Sequence, residues 1–180
     1  MEMTMPLDPL NLTPAASLNR VRFVALPGLD LPPEMIGRTA YEFLAARSLE
    51  RLSLEFGEAG AASQYGRWLG WLLVTLLRGD QAARAIRSDW DASYWEHWSR
   101  IQTVWLGGGL ASSGLGAGIA EQATTVLRSV GMRDRSVRVA PWPAHLPLIG
   151  AGRAGGTTST GASQPDAVQT AVVLDFGSSY

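Results

Sequence analysis

Two short segments of this chain have the residue types and spacing that nucleotide chemistry uses. The first is a run of three glycines, Gly107, Gly108 and Gly109, which ends an apolar stretch and precedes a helix-like segment. Main chain without Cβ atoms at the end of a strand lets a flat or phosphorylated ligand approach closely. The N–H groups at the start of the following helix would face the same ligand. A tight strand-to-helix turn is the alternative interpretation, and spacing alone does not separate the two.

The second segment runs from Leu174 to Ser179 and has the pattern of a buried strand that ends in a polar turn. The carboxylate of Asp175 is suited to hold Mg²⁺ through water, and Gly177, Ser178 and Ser179 can wrap phosphate oxygens with N–H and hydroxyl groups. Ordinary turns, in which the aspartate bonds to its own backbone, use the same residue types. The segment therefore predicts a phosphate and magnesium site that other parts of the protein must complete.

Alternating helices and strands are predicted to position these segments. Apolar residues recur at helical spacing in three stretches, and a capping serine predicts one more helix, giving helices at 41–56, 61–77, 89–100 and 113–130. Short apolar runs bounded by turn residues predict strands at 21–26, 101–106 and 136–140, and a last strand from 171 onward. This alternation indicates an α/β fold, with a small mixed β-sheet flanked by helices.

Composition shifts divide the chain into four parts. Residues 1–20 are rich in proline and threonine and predict an N-terminal arm, and residues 21–154 form the α/β lobe. Residues 155–168 are rich in glycine, threonine and serine and have the character of a linker. Residues 169–180 begin the phosphate-loop-like strand, which we expect to continue beyond this piece of the polypeptide.

Composition also excludes several classes of function. All 15 basic residues are arginine, which removes the lysine of Walker-type loops and lysine nucleophiles. Cysteine is absent, and the two histidines, His97 and His145, have no metal-ligand spacing. A net charge of -1 predicts no general attraction to nucleic acid or to membranes. Without a basic signal-peptide region or an apolar run long enough to cross a bilayer, a cytoplasmic location is expected.

An aromatic stripe precedes the glycine run. Trp90, Tyr94 and Trp98 are spaced four apart, with Trp95 beside them. Such a stripe is either a base-stacking platform or the buried face of a helix. The near-neutral charge favours the buried face.

A dinucleotide-binding motif fits poorly. Read from Gly107, the sequence lacks the third glycine of the G-x-G-x-x-G pattern. The strand at 136–140 ends in alanine, proline and tryptophan, where an acidic residue would hold a ribose hydroxyl. An NAD-binding Rossmann domain is therefore the least favoured nucleotide-binding interpretation.

A family resemblance rests on three motifs, one of which contains the glycine run: Gly66–Gly70, Val104–Leu110 and Leu146–Gly152. With them, residues 65–154 resemble the C-terminal part of the repressor and sugar kinase (ROK) proteins, in the acetate and sugar kinase/actin-like ATPase superfamily. The resemblance implies one lobe of an actin-like, ribonuclease H-like kinase fold. It also implies that Gly107, Gly108, Gly109 and Leu110 contact the adenosine of ATP. The segment Asp175–Ser179 is similar to the first phosphate motif of the superfamily and implies Mg²⁺ there.

The order of these motifs departs from the family, in which the phosphate motif comes first. A circular permutation, or a second module after the linker, would account for the reversal. No position matches the catalytic base of the family. We therefore expect the nucleotide-binding lobe of a sugar-kinase-like phosphotransferase, incomplete for catalysis by itself and completed by the rest of the polypeptide or by a homo-oligomeric partner. The alternative is a non-catalytic scaffold or protein-interaction domain that keeps the kinase-like fold.

Overall fold

The computed structural model describes residues 17–143 and, for the backbone alone, residues 168–173. Two 3-10 turns, Leu18–Arg20 and Pro33–Met35, come first. The helices are α1 Ala40–Leu44, α2 Ala46–Arg78, α3 Gln81–Ala85, α4 Ala92–Arg100, α5 Gly109–Ser112 and α6 Gly116–Ser129. The strands are β1 Ile101–Gly107, β2 Ser136–Val139 and β3 Val168–Val173. The described part is therefore a mixed α/β structure, as the sequence predicted.

The sheet has three strands in the order β2-β1-β3, and both strand pairings are parallel. Leu106 of β1 pairs with Val139 on one side and with Val172 on the other. The predicted mixed sheet is wrong for the described strands. After β1 the chain crosses back along α6 before it enters β2, and such a crossover aligns consecutive strands in the same direction.

The long helix α2 is interrupted where the sequence predicted a boundary between two helices. Gly57 has φ 69° and ψ 176°, and helical geometry resumes directly after it. The second part of α2 ends at Arg78 and is capped by Gly79, the residue that was predicted to break it. This second part is buried along most of its length and forms the centre of the core.

Helices α2 and α6 pack closely because two glycines of α2 face α6. A Cβ atom on Gly66 would stand 2.7 Å from the carbonyl oxygen of Ile119, and one on Gly70 would stand 2.6 Å from Cβ of Val126. Real side chains do not approach so closely, so glycine is required for this helix spacing. The motif Gly66–Gly70 thus has a packing role.

The predicted strand at 21–26 does not form. Its strand-like pairing is limited to one isolated antiparallel bridge between Arg22 and Thr39 and the backbone hydrogen bonds around it, among them that from the Phe23 N–H to the Arg38 carbonyl. The chain that faces it enters a 3-10 turn at Pro33–Met35, so a longer ladder has no partner. Val21 and Phe23 are nevertheless core residues, which explains their apolar character.

The tryptophans of the aromatic stripe are buried, as the sequence favoured, and Tyr94 is partly buried against the core. Trp90, Trp95 and Trp98 are at most 5% exposed. Helix α4 begins at Ala92, three residues later than predicted, because Asp91 caps it by accepting a hydrogen bond from the Tyr94 N–H at 2.8 Å. Across the described ranges, no helix combines the length and apolar character that crossing a bilayer requires.

Candidate functional site

The glycine run lies at the carboxyl end of the central strand. Gly107 is the last residue of β1, Gly108 follows it, and α5 begins at Gly109. Gly108 has φ 92° and ψ 179°, a conformation that only glycine adopts readily. The main chain therefore turns sharply from strand to helix at this position, which is the alternative interpretation of the glycine run. The helix predicted from 113 begins at Gly116 as α6, and the short α5 precedes it.

The middle amide of the glycine run is already used within the protein. The N–H of Gly108 donates a hydrogen bond to the carbonyl oxygen of Pro143 at 2.7 Å. The N–H of Ala140 donates to the Leu106 carbonyl at 2.9 Å, so the segment after β2 is fastened to the end of β1 at two points. Trp142, within this segment, is 68% exposed. The glycine loop thus has an exposed indole on the adjacent segment.

Gly109 is the open position of the loop. It is exposed, and a Cβ atom built on it meets no other atom within 4 Å. Its carbonyl accepts a hydrogen bond from the Ser112 hydroxyl at 2.8 Å. Helix α5 has only four residues, so its dipole adds little, and what the loop offers a ligand is accessible main chain.

Leu110 and Gly116 belong to the core. Leu110 is 2% exposed as a whole residue, so neither its side chain nor its main chain is open to a ligand here. A Cβ atom on Gly116 would stand 2.2 Å from the carbonyl oxygen of Ala111, which makes Gly116 necessary for the contact between α5 and α6. Gly116 therefore has a packing role and is not part of the candidate site.

The phosphate-like residues Asp175, Gly177, Ser178 and Ser179 lie outside the described residues. The strand that leads to them is described, and its last residue, Val173, pairs with Gly107. Because β1 and β3 run parallel, the chain leaves both strands at the same edge of the sheet. Within the described residues, no group of three or more histidine, aspartate or glutamate side chains is placed to hold a metal ion.

A second concave site, which sequence reasoning missed, lies away from the glycine loop. It is an open cleft of about 640 Å³, here called the arginine cleft, and none of its lining residues belongs to the glycine loop. The lining residues are Asn19, Arg20, Arg22, Thr39, Tyr41, Ile86, Arg87 and Asp89. The sequence signal was the pair Arg20 and Arg22, but residues 86–89, which close the cleft, are far along the chain.

One wall of the arginine cleft is an ion pair between a buried arginine and a half-exposed aspartate. The Arg87 side chain is 3% exposed and makes two hydrogen bonds to Asp89, from Nε to Oδ1 at 2.9 Å and from Nη2 to Oδ2 at 2.8 Å. The guanidinium also donates to the Ser17 carbonyl and lies 4.0 Å from the centre of the Trp90 ring. Hydrogen bonding to Arg87 lowers the pKa of Asp89, so this carboxylate stays ionised at neutral pH.

The structure leaves the family resemblance without independent support. Gly66–Gly70 serves helix packing, and Leu146–Gly152 lies outside the described residues. Comparison of the chain with protein-family models, with curated proteins and with solved structures finds no match. The assignment to the ROK proteins therefore stays a prediction.

Proposed function

We propose that the carboxyl edge of the sheet is a nucleotide-binding site that takes Mg-ATP. The observation that carries the proposal is the pairing of Gly107 with Val173. It places the end of β1, which carries the glycine run, beside the end of β3, the strand that Asp175 follows in the sequence. They are separated by a linker in sequence, so no local pattern requires this proximity.

The strand order supports the same location. β1 is central, the next strand lies on one side of it and β3 lies on the other. In open α/β sheets, ligands bind in the crevice at the carboxyl ends of the strands, where successive connections diverge to opposite sides. In this chain that point is the end of β1, which is the glycine run.

In the proposed complex, the purine and ribose lie against the exposed main chain at Gly109. The indole of Trp142 is available to stack on the base, since it is exposed on the segment that is hydrogen-bonded to Gly108. Asp175 holds Mg²⁺ through water, and Gly177, Ser178 and Ser179 bind the phosphates, as the family resemblance implies. These four residues follow β3 closely in the chain.

The proposed activity is that of a sugar-kinase-like lobe, with binding separated from turnover. Phosphoryl transfer needs a positioned base for the acceptor hydroxyl as well as bound nucleotide and metal. No residue of this chain is assigned that role. We therefore propose nucleotide binding as the function of these residues and phosphotransfer as a property of the completed protein.

The alternative, a non-catalytic interaction domain, depended on tryptophan side chains that offer an apolar surface. In the two tryptophan-bearing helices and the turn before α4, these side chains are buried: Trp68, Trp71, Trp90, Trp95 and Trp98. The exposed Trp142 lies beside the glycine loop instead. These positions favour a ligand site over an interaction face.

Calorimetric titration with Mg-ATP tests the proposal. Gly109→Val places an isopropyl group in the proposed purine position, where the free protein has open space, so the fold should tolerate it. We expect affinity to fall at least tenfold, whereas Gly114→Val, a matched control that is equally open and not placed at the site, binds as the unaltered chain does. No binding at millimolar nucleotide, or equal binding by both variants, would overturn the proposal.

A further inference from the structure

We propose that the arginine cleft is a second, independent binding site, for a small molecule that carries a phosphoryl group. It lies between the first 3-10 turn, the start of α1 and the turn that precedes α4. It shares no lining residue with the glycine loop. This inference is therefore independent of the proposed nucleotide site.

The charges of the lining residues determine the class of ligand. Arg20, Arg22 and Arg87 contribute three positive charges and Asp89 one negative charge, which leaves a net charge of +2. A phosphate monoester carries up to two negative charges near neutral pH, so its charge is complementary to that of the cleft. Beside the cleft, Arg47 adds a cation, with its guanidinium carbon 5.4 Å from the centre of the Tyr41 ring. Glu42 adds a carboxylate, which accepts a hydrogen bond from the Thr39 hydroxyl at 3.0 Å. These two neighbouring charges cancel.

The three arginines have different roles. Arg87 is held by hydrogen bonds to Asp89 and to the Ser17 carbonyl, so its guanidinium has a fixed position in the wall of the cleft. Arg22 uses Nη1 to donate to the Gly37 carbonyl at 2.9 Å, which orients its guanidinium and leaves other N–H groups for a ligand. Arg20 is exposed, and, after the larger effect of Arg87, its charge contributes to lowering the pKa of Asp89. Arg20 and Arg22 are therefore the groups that would bind the phosphoryl oxygens.

The remaining lining favours a phosphorylated organic molecule over a bare ion. The volume, about 640 Å³, is within the range of small-molecule sites. The half-exposed ring of Tyr41 and the side chain of Ile86 give an apolar surface beside the cations, and Asn19 and Thr39 add polar groups. Guanidinium groups suit phosphate because their paired N–H donors match two phosphate oxygens.

Calorimetry with inorganic pyrophosphate, in magnesium-free buffer at low salt, tests the site without an identified ligand. We expect binding that weakens as salt is added, because the contributing cations are exposed. Arg20→Ala should reduce the affinity roughly tenfold, the loss expected for one charge-assisted hydrogen-bonding group. Arg128→Ala, on the exposed side of α6, makes the same change in net charge away from the cleft and should leave affinity unchanged.

Absence of pyrophosphate binding, or equal losses in the two variants, would overturn the inference. Tighter binding of citrate than of pyrophosphate would overturn the phosphoryl assignment. Because ATP also carries phosphates, the same variants separate the two proposals. ATP binding that is lost in Gly109→Val and kept in Arg20→Ala supports the glycine-loop site, whereas the reverse pattern assigns the nucleotide to the arginine cleft and overturns the proposed function.

Discussion

The N–H of Gly108 donates a hydrogen bond to the carbonyl oxygen of Pro143 at 2.7 Å. This bond ties the turn after β1 to the segment after β2 and occupies the middle amide of the glycine run. The open part of the loop is consequently Gly109, and the proposed purine position is defined by that residue and the exposed Trp142. Rigid attachment of the loop is what a preorganised ligand site needs.

Substitution of Gly108 by alanine tests whether this turn is strained for other residues. With φ 92° and ψ 179°, an L-residue would be forced into a conformation that costs about 1–3 kcal/mol. We expect the free energy of unfolding, measured by urea denaturation, to fall by that amount. Gly109→Ala, without positive φ and with open space, is the control and should lie within about 0.5 kcal/mol of the unaltered protein. Equal losses in both variants would contradict the geometry of the turn.

The packing role of the Gly66–Gly70 motif predicts that Gly66→Ala is destabilising. Helix propensity alone would make alanine more favourable by about 1 kcal/mol. The new Cβ atom, however, would stand 2.7 Å from the Ile119 carbonyl oxygen, which belongs to a backbone that cannot rotate away. We expect the clash to exceed the propensity gain, with a net loss of about 1–3 kcal/mol in urea denaturation. A stability gain in this variant would show that α2 and α6 are not in close contact.

The Arg87–Asp89 pair predicts a contrast between two carboxylate substitutions. Asp89→Asn removes the charge that compensates a buried guanidinium, and about 1–2 kcal/mol of stability should be lost, discounted because Asp89 itself is half exposed. Glu96→Gln breaks the exposed pair with Arg100 and should cost less than about 0.5 kcal/mol. Thermal denaturation of the two variants in parallel measures the difference. Similar losses would contradict a structural role for the pair.

His97 predicts a pH dependence of stability. Burial lowers its pKa below the ordinary value of 6.5, so between the two values the unfolded chain binds more protons than the folded protein. The free energy of unfolding should be unaffected by this group above pH 6.5. It should decline as the pH falls below that value, by at most about 1.4 kcal/mol per pH unit. Urea denaturation between pH 7 and pH 5 measures this slope, and His97→Gln should reduce it. An unchanged slope in the variant would exclude His97 as its source.

Local sequence patterns predicted much of the fold because they report burial. Short stretches with buried apolar residues, ended by glycine or proline, identified β1 and β2, and the break at Gly57 was also expected. Strand direction was not predictable in this way, since it depends on the crossover through α6. The strand prediction for 21–26 was wrong for a similar reason. The alternating apolar residues indicated correctly that Val21 and Phe23 are buried, but a strand also needs a neighbouring strand to pair with.

The same difference between local sequence and tertiary structure applies to the candidate sites. The glycine run could be identified from sequence because its residue type is itself the signal for a close main-chain approach. Its proximity to β3 could not, because that depends on pairing across the linker. The arginine cleft was missed because Arg22 and Arg87 are brought together only by tertiary structure.

Photolabelling with 8-azido-ATP in the presence of Mg²⁺, followed by peptide mapping, tests the central claim most directly. The azide is on the adenine ring, so the labelled residue reports where the base lies. The account predicts labelling at Gly109–Ser112 or at Pro141–Pro143, with competition by unmodified ATP. Competed labelling concentrated at Tyr41 or at residues 86–89 would contradict it.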